Sequence, residues 1–278
     1  MATYEAIFFW ITLVVYALVG GGYIYAFVFN NERVLAKLYA MLGVGFALHT
    51  MAIAARTIAQ GHLPWTGDYE NGLMGGWYIV AATLYVTWRQ KPLRALSMAT
   101  VPFSMLLMGY GVMRNPRLEP MSASLKSLWL YLHVYFAWLA FGAYTLAMAA
   151  GVLYLLKKKG AAVAGSTALQ NRLPSLERLD EMMFRYLVFG FITDAIMIAA
   201  GAIWAKDLWG RYWGWDPLET WSLVSWLIYG VSIHLRITMG WRGVRFAWLM
   251  IMALISVVIV FFGVNFMSSS TLHMFNVR

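Results

Sequence analysis

The sequence contains no cysteine, which excludes disulfides, thiolate metal sites and cysteine nucleophiles within this polypeptide. Any thiol chemistry at its surface must use thiols brought by a partner. Charged residues are scarce, at 12%, where a soluble domain carries about 25%. There is no Gly-x-Ser-x-Gly elbow, no His-Glu-x-x-His pair and no phosphate-binding glycine loop, so nucleophilic catalysis has no support. Internal repeats and low-complexity tracts are absent too. The first apolar segment follows Met1-Ala-Thr-Tyr-Glu5 with no basic n-region and no small-residue cleavage site near its end. A retained helix is expected there rather than a removable signal peptide.

What the chain has in abundance is apolar surface, at 62% of residues. Eight apolar segments can be marked, at about 6–28, 38–56, 72–88, 95–112, 128–156, 184–204, 218–236 and 244–267. They predict an all-α integral membrane protein of about eight transmembrane helices, a single polytopic domain over residues 1–278. The fifth segment is long enough to project beyond the bilayer or to tilt. Glycines at 20–22, 109 and 111 are expected to let neighbouring helices approach closely. A net charge of +9 would suggest nucleic acid in a soluble protein. Here it carries orientation, because Lys and Arg flank the spans, so the expected partner is the lipid bilayer and not nucleic acid.

Loops 29–37, 89–94, 157–183 (with Arg185 at its edge) and 236–245 together hold 14 Lys and Arg, against 7 in loops 56–71, 113–127, 205–217 and 268–278. Positive residues concentrate on the cytoplasmic side. The first set is therefore expected inside, with both termini and the loop near residue 210 outside. The inner loop 157–183 starts Lys157-Lys-Lys159 and reads as a linker with anchoring charges. Within it, Ser175 followed by Arg178 and Glu181 predicts a capped amphipathic helix leading into the sixth span.

Between Trp204 and Trp226, 23 residues hold six of the chain's 14 tryptophans. Tryptophan is enriched at headgroup depth for the bilayer's sake alone. The density of rings, the presence of Arg211, Asp216 and Glu219 among them, and a histidine on either side argue for more. A large, flat, apolar ligand with a metal at its centre would account for all three. Asp216 before Pro217, with Glu219 in the first turn, also suits a helix start. That is a complete structural reason for Asp216, and one compatible with fixing the direction of the rings.

Of the five histidines, His133 is placed about one turn into the outer end of the fifth span and His273 in the outer tail. Two imidazoles therefore gather on the face of the aromatic loop, and imidazole is a common axial ligand of haem iron. His234 lies within an apolar segment near its inner end, where an ionisable side chain points to function. His49, in the second span, could assist it or could simply donate to a neighbouring helix. His62 reads as a solvated loop side chain. Asp194 is a second intramembrane charge, with His49, His234 or a backbone group as possible partners.

The run Trp209-Gly-Arg-Tyr-Trp213-Gly-Trp215-Asp216-Pro-Leu-Glu219-Thr-Trp221 resembles the WWD signature of haem-handling membrane proteins. Its continuation through Trp226 to His234-Leu-Arg, with Gly61-His-Leu-Pro, Tyr69-Glu70 and Leu179-Asp-Glu, is similar to the CcsA (ResC) family of System II cytochrome c biogenesis. The likeness extends over nearly the whole chain. Gly67-Asp68 departs from the Asn expected in the first-loop motif, so no role is drawn for that loop. The resemblance implies a cytochrome c haem lyase component that exports haem b and presents it to an apocytochrome c. There the cysteines of a Cys-x-x-Cys-His segment would form thioethers. It implies that His133 and His273 ligate haem iron at the outer face, acting catalytically. Trp209, Trp213, Trp215, Asp216, Glu219 and Trp221 would bind its rim. His234 would hold haem within the membrane, its second ligand coming from a CcsB/ResB-like subunit or from His49. Implied partners include thiol-reducing proteins. The implied location is a bacterial inner (plasma) membrane or a thylakoid membrane. Other readings are a b-type cytochrome that only passes electrons, a CcmC-like haem handler of another maturation system, and a solute transporter with an interfacial aromatic loop.

Overall fold

The computed structural model describes residues 1–29, 31–65, 67–88, 90–114, 116–118, 125–161 and 173–264. Among them the chain forms eight α-helices: α1 (Thr3–Val28), α2 (Leu35–Gln60), α3 (Asp68–Thr87), α4 (Ser97–Met113), α5 (Leu128–Ala161), α6 (Leu176–Trp209), α7 (Pro217–Ile237) and α8 (Val244–Val258). A 3-10 segment, Lys91–Leu96, leads into α4, and a π turn, Ile259–Gly263, continues α8. Helix is the only element that lets an isolated apolar segment satisfy its own backbone in lipid. Six helical stretches are long and apolar enough to cross a membrane: Thr3–Val28, Leu35–Gln60, Lys91–Met113, Leu128–Gly160, Leu176–Trp209 and Val244–Gly263. The protein is a helical, multi-pass membrane protein. Helix α3 opens with Asp68 and Glu70, and α7 carries Glu219 and Arg236; neither is among the six.

Helix α5 is the axis of the bundle, and its most extensive contact is with α6. It buries a run of small residues, including Ala140, Ala143, Ala147 and Ala150, which brings α6 and α8 close. A second core joins α1 and α2 to α3 and α4 around Phe9, Tyr16, Leu42, Leu73, Val101 and Met108. The backbones of α3 and α4 touch where a Cβ on Gly72 would lie 2.5 Å from the Leu107 carbonyl oxygen and 2.9 Å from Gly111 Cα. Of the glycines expected at close approaches, Gly111 and Gly22 lie at them, whereas Gly21 and Gly109 have open space where a Cβ would go.

Helix α6 is 34 residues long, with Ser175 as N-cap accepting the Arg178 amide. The expected amphipathic helix and the sixth span are thus one rod of about 50 Å at 1.5 Å per residue.

Buried charges occur as complete sets at the two ends of the bundle. At one end Arg56, 2% exposed, donates to Glu5 at 3.0 Å, to Glu70 at 2.9 Å and to the carbonyls of Pro116 and Arg117. At the other, Arg236 meets Asp180 at 2.5 Å, and Asp180 also accepts the Gly243 amide at 2.7 Å. Asp194 has neither His49 nor His234 as its hydrogen-bond donor: Tyr144 donates to it at 3.0 Å and stacks on Tyr229 at 3.5 Å.

Candidate functional site

Helix α6 ends at Gly210, which takes the left-handed conformation (φ 75) as its C-cap. Six residues later Asp216 caps α7, accepting the Leu218 amide at 2.8 Å and the Glu219 amide at 3.4 Å. Glu219 returns the contact. Its Oε2 accepts the Gly214 amide at 2.7 Å and the Asp216 amide at 3.3 Å. The two carboxylates therefore bind each other's backbone and fix the loop between them, as a capping box does. Within that loop Trp215 has φ 56. A bulky side chain in the left-handed region costs about 1–3 kcal/mol and persists only where its surroundings hold it. Trp215 stands 70% exposed, edge-on to Trp213 with ring centroids 5.9 Å apart.

Beneath this loop a cavity of about 230 Å³ lies between the ends of α3, α5, α6 and α7. Six aromatic rings line it, those of Trp65, Trp138, Trp204, Tyr212, Trp213 and Phe261, with Asp68, Asn71, Glu219 and Ser222 among its polar members. Among the described residues the buried indole N–H groups of Trp65 and Trp213 have no hydrogen-bond partner, and such donors normally find one.

His133 is part of the same wall. Its Nδ1 lies 2.9 Å from the carbonyl oxygen of Met197. That oxygen can only accept, so Nδ1 carries a proton and donates to it. A metal-binding imidazole is usually oriented in this way, by donating its other N–H to a backbone carbonyl. Gly201 makes room for the ring, because a Cβ there would lie 2.6 Å from Nδ1. Among the described residues no three His, Asp or Glu side chains converge on one point. A metal taken up by His133 would need to bring most of its ligands with it, as a porphyrin does.

The structure brings together Trp213, Asp216, Glu219 and His133 from the residues the sequence singles out. Trp209 packs instead on Trp204, centroids 5.5 Å apart, in a small core with Leu125 and Leu130. Trp215 faces outward, and Trp221 is half-buried without being part of the described lining. His273 lies outside the described residues.

His49 and His234 are elsewhere. His49 is fully buried, its Nε2 donating to the Leu73 carbonyl at 3.0 Å, so its Nδ1 accepts from the Tyr16 hydroxyl at 3.2 Å. Both ring nitrogens are thus taken by α1 and α3. His234 is exposed in the last turn of α7, 3.3 Å from the Thr238 hydroxyl, and about 25 Å along that helix from the loop at 1.5 Å per residue. Trp65 and Trp138 are absent from the sequence reading of the site. The only sequence signal for Trp65 is its position in a loop expected on the same side as the tryptophan-rich one.

Residues 65–273 match the family model described as Cytochrome C assembly protein. The chain belongs to this family. Proteins described as cytochrome c biogenesis protein CcsA place it in the CcsA branch. Those of Guillardia theta and Pyropia yezoensis are each 30% identical to it, over 237 and 272 residues, covering 78% and 84% of both chains. That of Synechococcus sp. (strain RCC307) is 29% identical over 243 residues, 78% of both. A solved structure titled Cytochrome c Heme Lyase CcmF has the same fold over 93% of this chain, with a TM-score of 0.71 at 17% identity. The chain spans 46% of that structure's length. This member of the cytochrome c assembly family carries its aromatic cavity, His133 and the tryptophan loop entirely within the matched region; α1 and α2 precede it.

Proposed function

We propose that the protein binds haem b as cargo beneath the tryptophan loop and presents it to an apocytochrome c for covalent attachment. The observation that carries this reading is His133, proton fixed on Nδ1 by Met197, in a wall of indoles. In this reading Nε2 of His133 ligates the iron and His273 supplies the second axial nitrogen. Trp65 and Trp213 offer two unused N–H donors where the propionates need partners. Haem supplies two vinyl groups, to which the two thiols of a Cys-x-x-Cys-His segment add, and the protein contributes position and iron coordination. A volume of about 230 Å³ is below the roughly 300–1,000 Å³ typical of enclosed ligand sites. The porphyrin is therefore held edge-on, with the rest of its rim open to the apocytochrome. Trp215, held outward on a strained backbone, is placed to meet that client.

In the same proposal haem passes His234 on its way outward. The exposed position of that side chain suits an iron ligand shared with a CcsB-like subunit, and thiol-reducing proteins keep the client competent. The membrane is a bacterial inner membrane or a thylakoid membrane, with the tryptophan loop on the outer or lumenal side. An electron-transferring b-type cytochrome needs a histidine paired across the bundle. Among the described residues none is: His49 has both nitrogens engaged and His234 faces out.

The test is an optical spectrum of the purified complex with holocytochrome c yield, for wild type, His133→Ala and His273→Ala. Loss of maturation in both variants, with a changed Soret band, is expected. Normal maturation in both would end the proposal.

A further inference from the structure

A larger cavity, about 690 Å³, lies at the opposite end of the bundle. It is walled by the last turns of α1, the first turn of α2, the 3-10 segment before α4 and the N-cap region of α6. Its two kinds of surface are distinct. Phe27, Leu35, Leu93 and Met98 give it an apolar wall, and Lys91, Arg94 and Arg178 give it three cations. Lys91 and Arg94 form no ion pair among the described residues, which contrasts with the complete pairing of Arg56 and Arg236.

Arg94 Nε is buried with no hydrogen-bond partner among the described residues, and beside it the hydroxyl of Tyr23, a residue 2% exposed, has the Ser97 side chain and Arg94 as its polar neighbours. The Arg94 guanidinium lies 3.7 Å over the Tyr39 ring, which holds its plane while leaving Nε unanswered. A buried donor without an acceptor is costly, so this one, with a second cation at Lys91, calls for an anionic acceptor from outside the chain. Water alone does not match the site, because most of its lining is hydrocarbon and ordered water needs two to four polar partners. Basic pockets between membrane helices on the side richer in Lys and Arg are where anionic headgroups bind.

We propose that this cavity binds one anionic phospholipid. Its phosphate would be held by Arg94, Lys91 and the Tyr23 hydroxyl, and an acyl chain would lie along Phe27 and Leu35. The lipid fixes the α1–α2 pair, which precedes the matched family region, to the start of α6.

The full-length protein, exchanged into nanodiscs of phosphatidylglycerol or phosphatidylcholine with matched acyl chains, tests this by native mass spectrometry and thermal unfolding. One tightly retained phosphatidylglycerol per protein is expected, with a higher Tm than in phosphatidylcholine. Lys91→Gln with Arg94→Gln should weaken retention by about 25-fold, roughly fivefold for each cation removed. Ala36→Trp, which fills the cavity without touching its charges, should abolish retention and secures the test if the double variant folds poorly. The control, Arg242→Gln with Arg245→Gln, removes two exposed cations from the same end of the bundle and should retain the lipid. Equal loss in the control would overturn the proposal, as would equal retention of phosphatidylcholine. Inorganic phosphate raising Tm as much as the lipid would make this a free-anion site and also overturn it. Haem displacing the lipid one for one would reassign the cavity to a porphyrin.

Discussion

The carboxylate of Glu219 closes on the backbone amide of Gly214, five residues upstream, at 2.7 Å. With the Asp216 amide it forms the clasp that holds the tryptophan loop over the cavity. Hydrogen bonds to a charged group contribute about 1.5–3 kcal/mol each, comparable to the backbone strain at Trp215. Glu219→Ala should therefore release the loop and lower haem retained per protein by about tenfold, read from Soret absorbance. Glu219→Gln keeps one acceptor oxygen and should fall between. Full haem occupancy in Glu219→Ala would show that the clasp is unimportant to the site.

Gly201 offers a way to disturb His133 without removing it. A methyl at this position would collide with the imidazole, yet alanine favours the helix over glycine by about 1 kcal/mol. Gly201→Ala should lose haem while its Tm holds or rises. His133→Ala leaves a ring-sized space, so added imidazole should restore part of its haem spectrum and maturation. The same imidazole should not help Gly201→Ala, where the space is filled. Equal rescue of the two variants would count against His133 as the ligand.

His49 divides structure from chemistry. His49→Phe strands the Tyr16 hydroxyl and the Leu73 carbonyl in the core, a loss of about 1–3 kcal/mol visible as a lower Tm. Haem bound per folded molecule should be unchanged. An altered Soret maximum would mean that His49 ligates iron in a state other than this one.

Arg56→Leu leaves Glu5 and Glu70 buried around a missing cation. Breaking a buried pair by removing one partner costs about 3–5 kcal/mol, so the variant should accumulate poorly and unfold at lower temperature. Adding Glu5→Gln and Glu70→Gln should recover most of that loss in a thermal melt. No recovery would assign the cost to the carbonyls of Pro116 and Arg117 instead.

His234→Ala removes an exposed side chain and should leave the Tm of the isolated protein unchanged. Haem recovered with the assembled partner complex should fall. Unchanged haem in the complex would take His234 off the route.

Much of this protein is legible in its sequence. Apolar runs of about 20 residues must become helices in lipid, because no other element satisfies its backbone there, and caps are local. Ser175 and Asp216 could therefore be read from neighbours three residues away. The cavity's membership could not. Trp65 and Trp138 reach the tryptophan loop only through the packing of α3 and α5, whose register depends on close approaches such as Gly72 against Gly111.

The two histidine readings were separated in the same way. Hydrophobic spacing placed His49 and His133 in helices but could not say what met their nitrogens. Those partners, Tyr16 and Leu73 for one and Met197 for the other, come from other helices 24 to 64 residues away in the chain. The sequence by itself determined the helices, their caps and the chemistry available, since each follows from solvent and near neighbours. Only the tertiary structure decided which imidazole has both nitrogens engaged in the core and which donates from Nδ1 at the cavity wall, because hydrogen-bond partners across a bundle are set by packing.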